Sequence, residues 1–194
     1  MNDCECISKC FKTILEMLED RNYQISDDLK NLNDNDYRYM YNNNKYNFTV
    51  INDNKKCYIM FFLNTTSNPL KINTIRDSIN KIDSNDNDEF LIILRHLNNS
   101  LKKIEKEYNC NMFWYKDLLI NITKHKYVPK HELVKKEEEK DILKQFKLSN
   151  KLQLMYILLT DPICKYYNYK QGGIVKITRN SKTSGKNIVY RYIK

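Results

Sequence analysis

Apolar residues recur at helical spacing in two segments of the first half of the chain. Residues 6–18 and 70–82 place apolar side chains three or four positions apart, which predicts two amphipathic helices. Residues 46–51 and 57–63 are rich in aromatic and branched side chains. Because the turn-forming sequence Asn52-Asp53-Asn54 lies between them, they predict a β-hairpin.

Three shorter segments follow in the pattern. The continuous apolar run 90–94 predicts a strand that is buried on both faces. Residues 98–108 predict a basic helix that Asn99 or Ser100 would cap. Residues 118–122 predict a second short apolar strand. Helices and strands in this order are typical of a mixed α/β domain, in which helices flank a sheet.

Helix-breaking residues are concentrated in the last third of the chain. All three glycines and two of the three prolines lie beyond residue 125. Turns at this density are typical of a compact module. The sequence Tyr127-Val128-Pro129 predicts its boundary, because proline keeps the preceding residue extended and a helix cannot run through it. We therefore predict an N-terminal domain over residues 1–124 and a C-terminal domain over residues 125–194.

The C-terminal domain is predicted to be a small α+β fold. Residues 137–148 predict an amphipathic helix that directs Ile142, Leu143 and Phe146 inward. Residues 152–159 are apolar and predict a short buried helix.

A third helix and a terminal hairpin complete the predicted C-terminal domain. Asp161-Pro162 predicts the helix start, with aspartate as the cap and proline at the first helical position, and Gly172 predicts its end. The alternating runs 174–179 and 188–193 predict the two strands of a β-hairpin. Gly185 lies in the loop that joins them.

Charged residues, like the glycines and prolines, are distributed unevenly between the two parts of the chain. Residues 121–194 hold 17 Lys and Arg against 6 Asp and Glu, a net charge of +11. Residues 1–120 hold 16 against 18, a net charge of −2. A basic module of this kind suits an assembly interface or the neighbourhood of nucleic acid, and charge alone leaves both open.

Residue types that catalyse reactions or bind metals do not form a recognisable site in the sequence. Cys4, Cys6 and Cys10 supply three thiols, whereas a structural zinc site needs four ligands. His125 and His131 flank the predicted boundary without a neighbouring nucleophile, which favours a hydrogen-bonding role. No apolar run reaches the ~20 residues of a membrane span, and the N-terminus lacks a signal-peptide core. We expect an intracellular protein with reduced thiols, no metal, no cofactor and no active site.

The motifs of the C-terminal part follow one another in an order that a known family shares. They are Asn121-Ile122-Thr123, His125, Val128-Pro129-Lys130-His131, Glu139 with Leu143, Asp161-Pro162, Tyr166, Gly172, Val175-Lys176-Ile177, Arg179, Ser181, Thr183-Ser184-Gly185 and Tyr190-Arg191. In this order and spacing they resemble the shared fifth subunit of eukaryotic-type DNA-directed RNA polymerases, a family with a shorter archaeal counterpart. The segment Phe11-Lys12-Thr13 with Glu16-Met17 and Asp20-Arg21 more loosely resembles the opening helix of the same family.

The resemblance implies a non-catalytic structural subunit of a multisubunit DNA-dependent RNA polymerase. It implies an N-terminal jaw domain with a restriction-endonuclease-like α/β fold, which borders downstream double-stranded DNA. It also implies a C-terminal assembly domain that docks on the largest polymerase subunit. The strands expected in the jaw contain no acidic residue to hold a metal, which argues against nuclease activity.

Two sets of site residues follow from the resemblance. The residues expected near DNA are Lys55, Lys56, Lys102 and Lys103. The residues expected at the docking surface are Pro129, His131, Asp161, Pro162, Gly172, Lys176, Arg179, Thr183, Ser184, Gly185, Tyr190 and Arg191.

The chain also departs from the family pattern. Leu154-Met155 stands where the family has Leu-Pro, Gln171 stands where it has Arg, and residues 98–103 replace a Thr-Pro-Ser-Ala stretch. The chain contains no alanine and is crowded with Asn, Lys, Ile and Tyr, a bias typical of an A/T-rich genome. Divergence and composition together favour a large-DNA-virus homologue, present in the virion and in the cytoplasm or nucleus of the infected cell. A cellular homologue would be nuclear.

Two other hypotheses remain open from the sequence. The first is a free-standing DNA-binding or inactive nuclease-like protein. The second is a free regulator that shares the subunit's surface and competes for the polymerase.

Overall fold

The computed structural model describes residues 3–52, 55–63, 72–96, 101–181 and 185–194. They form two compact units, Met1–Ile120 and Asn121–Lys194. The turn predicted at residues 53–54, the caps predicted at Asn99 and Ser100, and the docking residues Thr183 and Ser184 lie outside the described residues.

The described part of the N-terminal unit is a sheet with helices. Its elements are α1 (Asp3–Asp20), α2 (Asp27–Lys30), α3 (Asp34–Asn43), β1 (Phe48–Asn52), β2 (Lys55–Phe62), α4 (Ile72–Asn80), β3 (Glu89–Leu94), α5 (Lys102–Glu107) and β4 (Cys110–Trp114). The strand order is β1-β2-β3-β4. β1 pairs with β2 antiparallel, whereas β2, β3 and β4 are mutually parallel. The predicted hairpin and the predicted mixed α/β architecture are confirmed.

Helices cover both faces of this sheet. α4 and α5 pack on one face through Ile75, Ile79 and Ile104. α1 packs on the other face, where the ring of Phe11 lies 6.0 Å from that of Phe61. Since side chains alternate along a strand, β3 is covered on both sides, and all six of its residues are buried. The apolar run that predicted a buried strand is confirmed.

The strand predicted at residues 118–122 is wrong. The fourth strand is β4, and the chain then enters a 3₁₀ helix, Tyr115–Leu118. Leu118 is buried in that turn, while Ile120 is 70% exposed. An apolar run this short does not distinguish a strand from a turn that contributes one residue to the core.

The described part of the C-terminal unit contains a second sheet. Its elements are β5 (Lys130–Leu133), α6 (Lys136–Gln145), β6 (Tyr156–Ile157), α7 (Pro162–Tyr166), β7 (Ile174–Ser181) and β8 (Gly185–Ile193). The strand order is β5-β7-β8-β6. β7 and β8 form the predicted terminal hairpin, in a register that runs from Ile174 opposite Tyr192 to Ser181 opposite Gly185.

Two helices of the C-terminal unit differ from the prediction. No buried helix spans residues 152–159; the chain forms a 3₁₀ turn, Lys151–Gln153, and then β6. In α6 only Ile142 is buried, and the side chain of Phe146, which was predicted to face inward, is 48% exposed.

The end of α7 also differs from the prediction. Asp161 caps the helix as predicted, because its carboxylate accepts the N–H of Ile163 at 2.9 Å. The helix ends at Tyr166 rather than at Gly172. Asn168 takes the left-handed conformation (φ 52°), and the N–H of Tyr169 donates to the carbonyl of Cys164 at 3.0 Å. Asparagine tolerates this conformation, so the helix closes with a Schellman motif before it reaches the glycine.

Gly185 provides a test of the hairpin. Its φ is +68°, and a Cβ added there would meet no heavy atom within 4 Å. Gly185→Val should therefore lower the free energy of unfolding by about 1–2 kcal/mol through backbone strain alone. Thermal denaturation measures this loss. Gly185→Asn is the control, because asparagine accepts positive φ, and equal losses in both variants would contradict the assignment to strain.

Candidate subunit-docking surface

Large apolar side chains remain in water on the C-terminal unit. Among its described residues, the exposed large apolar side chains are those of Tyr127, Leu133, Phe146, Leu152, Met155, Tyr156, Leu158, Leu159, Ile188 and Val189. Soluble monomers rarely leave contiguous apolar groups in water, and such groups mark interaction surfaces.

Half of these side chains lie on one segment, which we call the apolar strip. It consists of Leu152, Met155, Tyr156, Leu158 and Leu159. The segment cannot bury them, because β6 has only two residues, of which one, Ile157, is buried in the core, and elsewhere in the segment Leu154 packs only partly against it. Its backbone is nevertheless fixed: the N–H of Tyr192 donates to the carbonyl of Met155, and that of Lys194 to the carbonyl of Ile157, both at 2.9 Å. The strip is therefore an ordered apolar surface.

Aromatic rings extend the surface beside the strip. Tyr156 lies opposite Tyr192 in the sheet, and the ammonium of Lys194 lies 5.3 Å from the centre of the Tyr156 ring. On the same strand as Tyr192, the Tyr190 ring meets that of Phe146 edge-on, with ring centres 5.7 Å apart. Because Tyr190 also packs against Val134, Ile142 and Ile174, the position of this exposed edge is set by the core.

Two acidic groups near this sheet, Glu132 and Glu139, are paired with lysines. Glu132 accepts a hydrogen bond from Lys130 at 2.7 Å, which together with Lys176 and Lys186 outweighs burial and lowers the pKa of the Glu132 carboxyl. Lys151 lies 3.6 Å from Glu139 and donates to the carbonyl of Gly172 at 2.6 Å. These acidic groups are already counted in the net charge of +11 over residues 121–194, so the unit remains strongly basic towards a partner.

Several predicted docking residues have a local structural role. Asp161 and Pro162 begin α7, and Gly172 forms a turn at φ +92°. His131 Nδ1 lies 2.7 Å from the carbonyl oxygen of Pro129.

The other described docking residues lie along the hairpin. Lys176 and Arg179 are on β7, and Gly185, Tyr190 and Arg191 are on β8. Arg191 donates from Nη1 to the carbonyl of Tyr156 at 3.4 Å, and its Nε is a buried donor without an acceptor among the described residues. Their docking role stays a prediction.

Sequence reasoning did not identify the apolar strip as a surface, although its run of apolar residues was visible in the sequence.

The four lysines predicted near DNA do not lie together. Lys55 and Lys56 are at the amino end of β2, beside the amino end of β3. Lys102 and Lys103 begin α5, which follows the carboxyl end of β3. Phe62 lies seven positions after Lys55 along β2, a span of roughly 23 Å. The two pairs therefore belong to opposite ends of the sheet.

Lys55 is also held by an ion pair. Its ammonium binds the carboxylate of Glu89, which is buried and also accepts the hydroxyl of Tyr23 at 3.1 Å. Burial and the adjacent Glu89 raise the pKa of Tyr23, so the hydroxyl stays a donor. The neighbouring Asp88 accepts the backbone N–H groups of Lys56 and Asn85, each at 2.9 Å. The expectation that these strands contain no acidic residue is wrong, because β3 begins at Glu89. Sequence reasoning missed both acidic residues because the apolar run begins immediately after them.

Glu89 and Asp88 both bind groups of their own unit. Within the described residues no group of three or more His, Cys, Asp or Glu side chains could hold a metal ion. Burial is the main cause that raises the pKa of the Cys10 and Cys57 thiols to about 12, so neither is a reactive thiolate. In the described parts of the chain no helix is long and apolar enough to span a bilayer.

Asp88 predicts a pH dependence of stability. Burial alone would raise the pKa of its carboxyl, but two backbone N–H donors with Lys56 and Lys55 lower it below the ordinary value. The folded state therefore binds a proton less readily than the unfolded state. The resulting stabilisation is complete above pH ~5 and is lost as pH falls through the unfolded pKa of about 3.9 and then the folded one.

Asp88→Asn should remove this dependence. We expect a loss of about 1–3 kcal/mol at pH 7, because a charged acceptor of two partly buried hydrogen bonds is replaced by a neutral one. The difference from the wild type should shrink between pH 5 and pH 2. Urea unfolding at several pH values measures it, and a difference that stays constant with pH would contradict the role of the charge.

The structure describes a protein of two compact units with an exposed apolar surface on the second, and sequence comparison identifies its family. Residues 6–82 match the family described as RNA polymerase Rpb5, N-terminal domain, and residues 120–193 match RNA polymerase Rpb5, C-terminal domain. The chain belongs to the Rpb5 family of RNA polymerase subunits. Homologues in this family are accessory, non-catalytic subunits of multisubunit DNA-directed RNA polymerases.

Relatives show how far the similarity extends. The chain is 32% identical over 190 residues to DNA-directed RNA polymerase V subunit 5A of Arabidopsis thaliana, covering 92% of this chain and 84% of the relative. It is 25% identical over 196 residues to the RPABC1 subunit of RNA polymerases I, II and III of Caenorhabditis elegans, covering 94% and 92%. A shorter match to the rpabc1 subunit of Dictyostelium discoideum is 42% identical over 87 residues, covering 45% of this chain and 44% of the relative.

Proposed function

We propose that this chain is incorporated into a multisubunit DNA-dependent RNA polymerase by docking its C-terminal unit on the largest subunit. The apolar strip carries the proposal. Its side chains are ordered, apolar and in water, and burying them against another subunit would release them from solvent. The basic charge around the strip favours an acidic partner surface and speeds its approach.

Co-expression with the other polymerase subunits tests this function. The chain should co-purify with the large subunits in a 1:1 ratio and remain bound through size-exclusion chromatography. A chain that stays alone in the cell, or that cuts DNA when Mg²⁺ is added, would overturn the proposal. A chain that binds the polymerase but is missing from transcribing enzyme would support the competing regulator instead.

We propose that the N-terminal unit serves as a jaw beside downstream duplex DNA, with a restriction-endonuclease-like fold. Helices on both faces of a mostly parallel sheet are compatible with that fold. A subunit that must accept any DNA sequence should contact phosphates rather than bases. We assign the jaw to residues 1–124 and the assembly module to residues 125–194, with no membrane partner.

The separation of the lysine pairs makes the DNA contact testable. If the carboxyl end of the sheet faces the duplex, Lys102→Gln with Lys103→Gln should reduce the salt slope of polymerase–DNA binding by about 1–2, near 0.9 for each lost phosphate contact. Lys56→Gln, at the opposite end, is the matched control and should leave the slope unchanged. Filter binding across a salt series measures both. An unchanged slope in the double variant would remove that pair from the DNA path.

We propose a large DNA virus as the source. The absence of alanine and the departures at Met155 and Gln171 support this origin. The protein would then act in viral transcription, in the virion and in the cytoplasm or nucleus of the infected cell. The genes that flank the coding sequence test the proposal, because a cellular neighbourhood would contradict it and would place the protein in the nucleus.

A further inference from the structure

β8 has an unpaired edge within the described part of the C-terminal unit. Eight of its nine residues, 185–192, pair with β7 along one side. On the other side β6 pairs only with Tyr192 and Ile193. We call residues 186–190 of β8 the open edge. Five residues of strand measure roughly 16 Å, which is long enough to pair with another strand.

The direction of the backbone groups follows from the bonds at the end of the strand. The N–H of Tyr192 donates to Met155 on the β6 side, whereas the N–H of Ile193 donates to Gly173 on the β7 side, both at 2.9 Å. Because these directions alternate along a strand, the N–H and C=O groups of Lys186, Ile188 and Tyr190 point away from β7. None of these groups has a hydrogen-bond partner among the described residues.

The side chains along the open edge are exposed and differ between the two faces. Lys186 to Val189 are all exposed, with Ile188 at 40%. Ile188 lies on the same face as Tyr190, whose ring contacts the exposed ring of Phe146. Val189 lies on the opposite face. Natural proteins cover or charge an exposed apolar strand edge, because it is a template for pairing with another chain.

Charge selects the occupant of this edge. Arg179 lies opposite Asn187 and Arg191 opposite Val175, which places both arginines on the face of Val189. A strand that lies along the edge would therefore meet Ile188, Tyr190 and Lys186 on one face. On the other face it would meet Val189 and the two guanidinium groups. A second copy of this chain would bring the same +11 unit, so charge disfavours pairing between two copies.

We propose that an extended segment of another polymerase subunit adds a strand to the open edge of β8. The segment should alternate, with apolar side chains over Ile188 and Tyr190 and acidic side chains towards Arg179 and Arg191. Main-chain hydrogen bonds hold such a strand, and the side chains on its two faces select its sequence. The inference rests on the proposed polymerase function, which it deepens by naming how the partner is held.

Proline at position 188 tests the backbone contribution. Ile188→Pro removes an N–H that points away from β7, so the β7–β8 pairing keeps all its bonds. We expect the variant to melt within a few degrees of the wild type and to be retained about tenfold more weakly in the co-expressed polymerase. Ile188→Thr is the control, because it keeps the N–H and a branched side chain, and its retention should fall only a few-fold.

Hydrogen exchange of the wild-type protein gives an independent readout. In the free protein the amides of Ile188 and Tyr190 should exchange fast, and in the assembled polymerase about tenfold or more slowly. If they stay unprotected while the chain co-purifies with the large subunits, the strand-addition inference is overturned and the proposed function stands. If the wild type does not co-purify at all, the proposed function fails. A dimer of the free chain that Ile188→Pro abolishes would identify a second copy as the occupant and would also overturn the inference.

Discussion

Replacing Leu152, Met155 and Leu158 together by serine should prevent stable incorporation of the chain into the polymerase without unfolding it. These three side chains are 64%, 67% and 49% exposed, so the fold loses little when they are shortened. Docking would bury most of their remaining apolar surface, at about 25 cal/mol for each Å².

The expected magnitude follows from that area. A half-exposed leucine or methionine offers roughly 80–100 Å² for burial, or about 2 kcal/mol each at this coefficient. Part of the gain offsets the ordering of side chains on association, so we expect a net loss near 3 kcal/mol for the triple variant. That corresponds to about a hundredfold weaker binding.

Matched tyrosines separate a docking effect from a general effect of polarity. Tyr156 and Tyr39 are both 58% exposed, one on the apolar strip and the other on α3 of the N-terminal unit. Tyr156→Ser should lower the yield of purified complex, and Tyr39→Ser should not. The melting temperatures of the free proteins should stay close to the wild-type value. Retention of the triple variant at the wild-type level would exclude the apolar strip from the interface.

The apolar strip also shows where sequence reasoning was misled. The run that spans residues 152–159 is as apolar as a core helix, and periodicity alone assigns it to the interior. A single-chain pattern cannot distinguish a side chain buried in its own fold from one that a partner would bury. The correct assignment needed the length of β6, because a two-residue strand pointing one side chain inward leaves its neighbours in solvent.

Elements with a strong internal pattern were predictable. Helix α1, the hairpin of β1 and β2, and the buried strand β3 all follow from spacing, because each buries a regular set of side chains. Helices α2 and α3 were missed because they have little apolar periodicity. α3 is instead defined by a capping box, in which Asn33 accepts the N–H of Asp36 while the Asp36 carboxylate accepts the N–H of Asn33.

The predicted end of helix α7 was wrong for a different reason. The glycine rule placed the end of α7 at Gly172, but this chain has only three glycines. It uses Asn22, Lys147 and Asn168 in the left-handed conformation after α1, α6 and α7. For the candidate DNA contacts, the sequence named four lysines but could not show which of them lie close together. The separation of Lys55 from Lys103 depends on strand direction, which only the sheet defines.

Phe11→Ala should produce the largest loss of stability among these substitutions. Phe11 is fully buried and its ring contacts three others, at 5.7 Å from Tyr37, 4.9 Å from Phe48 and 6.0 Å from Phe61. One side chain therefore joins α1, α3, β1 and β2. Its removal should cost about 3–5 kcal/mol, the transfer free energy of the ring plus the cavity it leaves. That is a large fraction of the roughly 5–15 kcal/mol that stabilises a typical domain.

Chemical denaturation of the full chain measures this loss, read in the transition of the N-terminal unit. Phe11→Leu should lose less, because leucine fills part of the cavity, whereas Tyr39→Ala on the exposed face of α3 should stay within about 0.5 kcal/mol of the wild type. A loss below about 1 kcal/mol for Phe11→Ala would mean that the four rings do not form one packed cluster. If the N-terminal unit has the jaw role proposed above, Phe11→Ala should reduce binding of the assembled polymerase to downstream duplex. Binding of the C-terminal unit to the large subunits should be less affected, because the apolar strip and the open edge contain no residue of the Phe11 cluster.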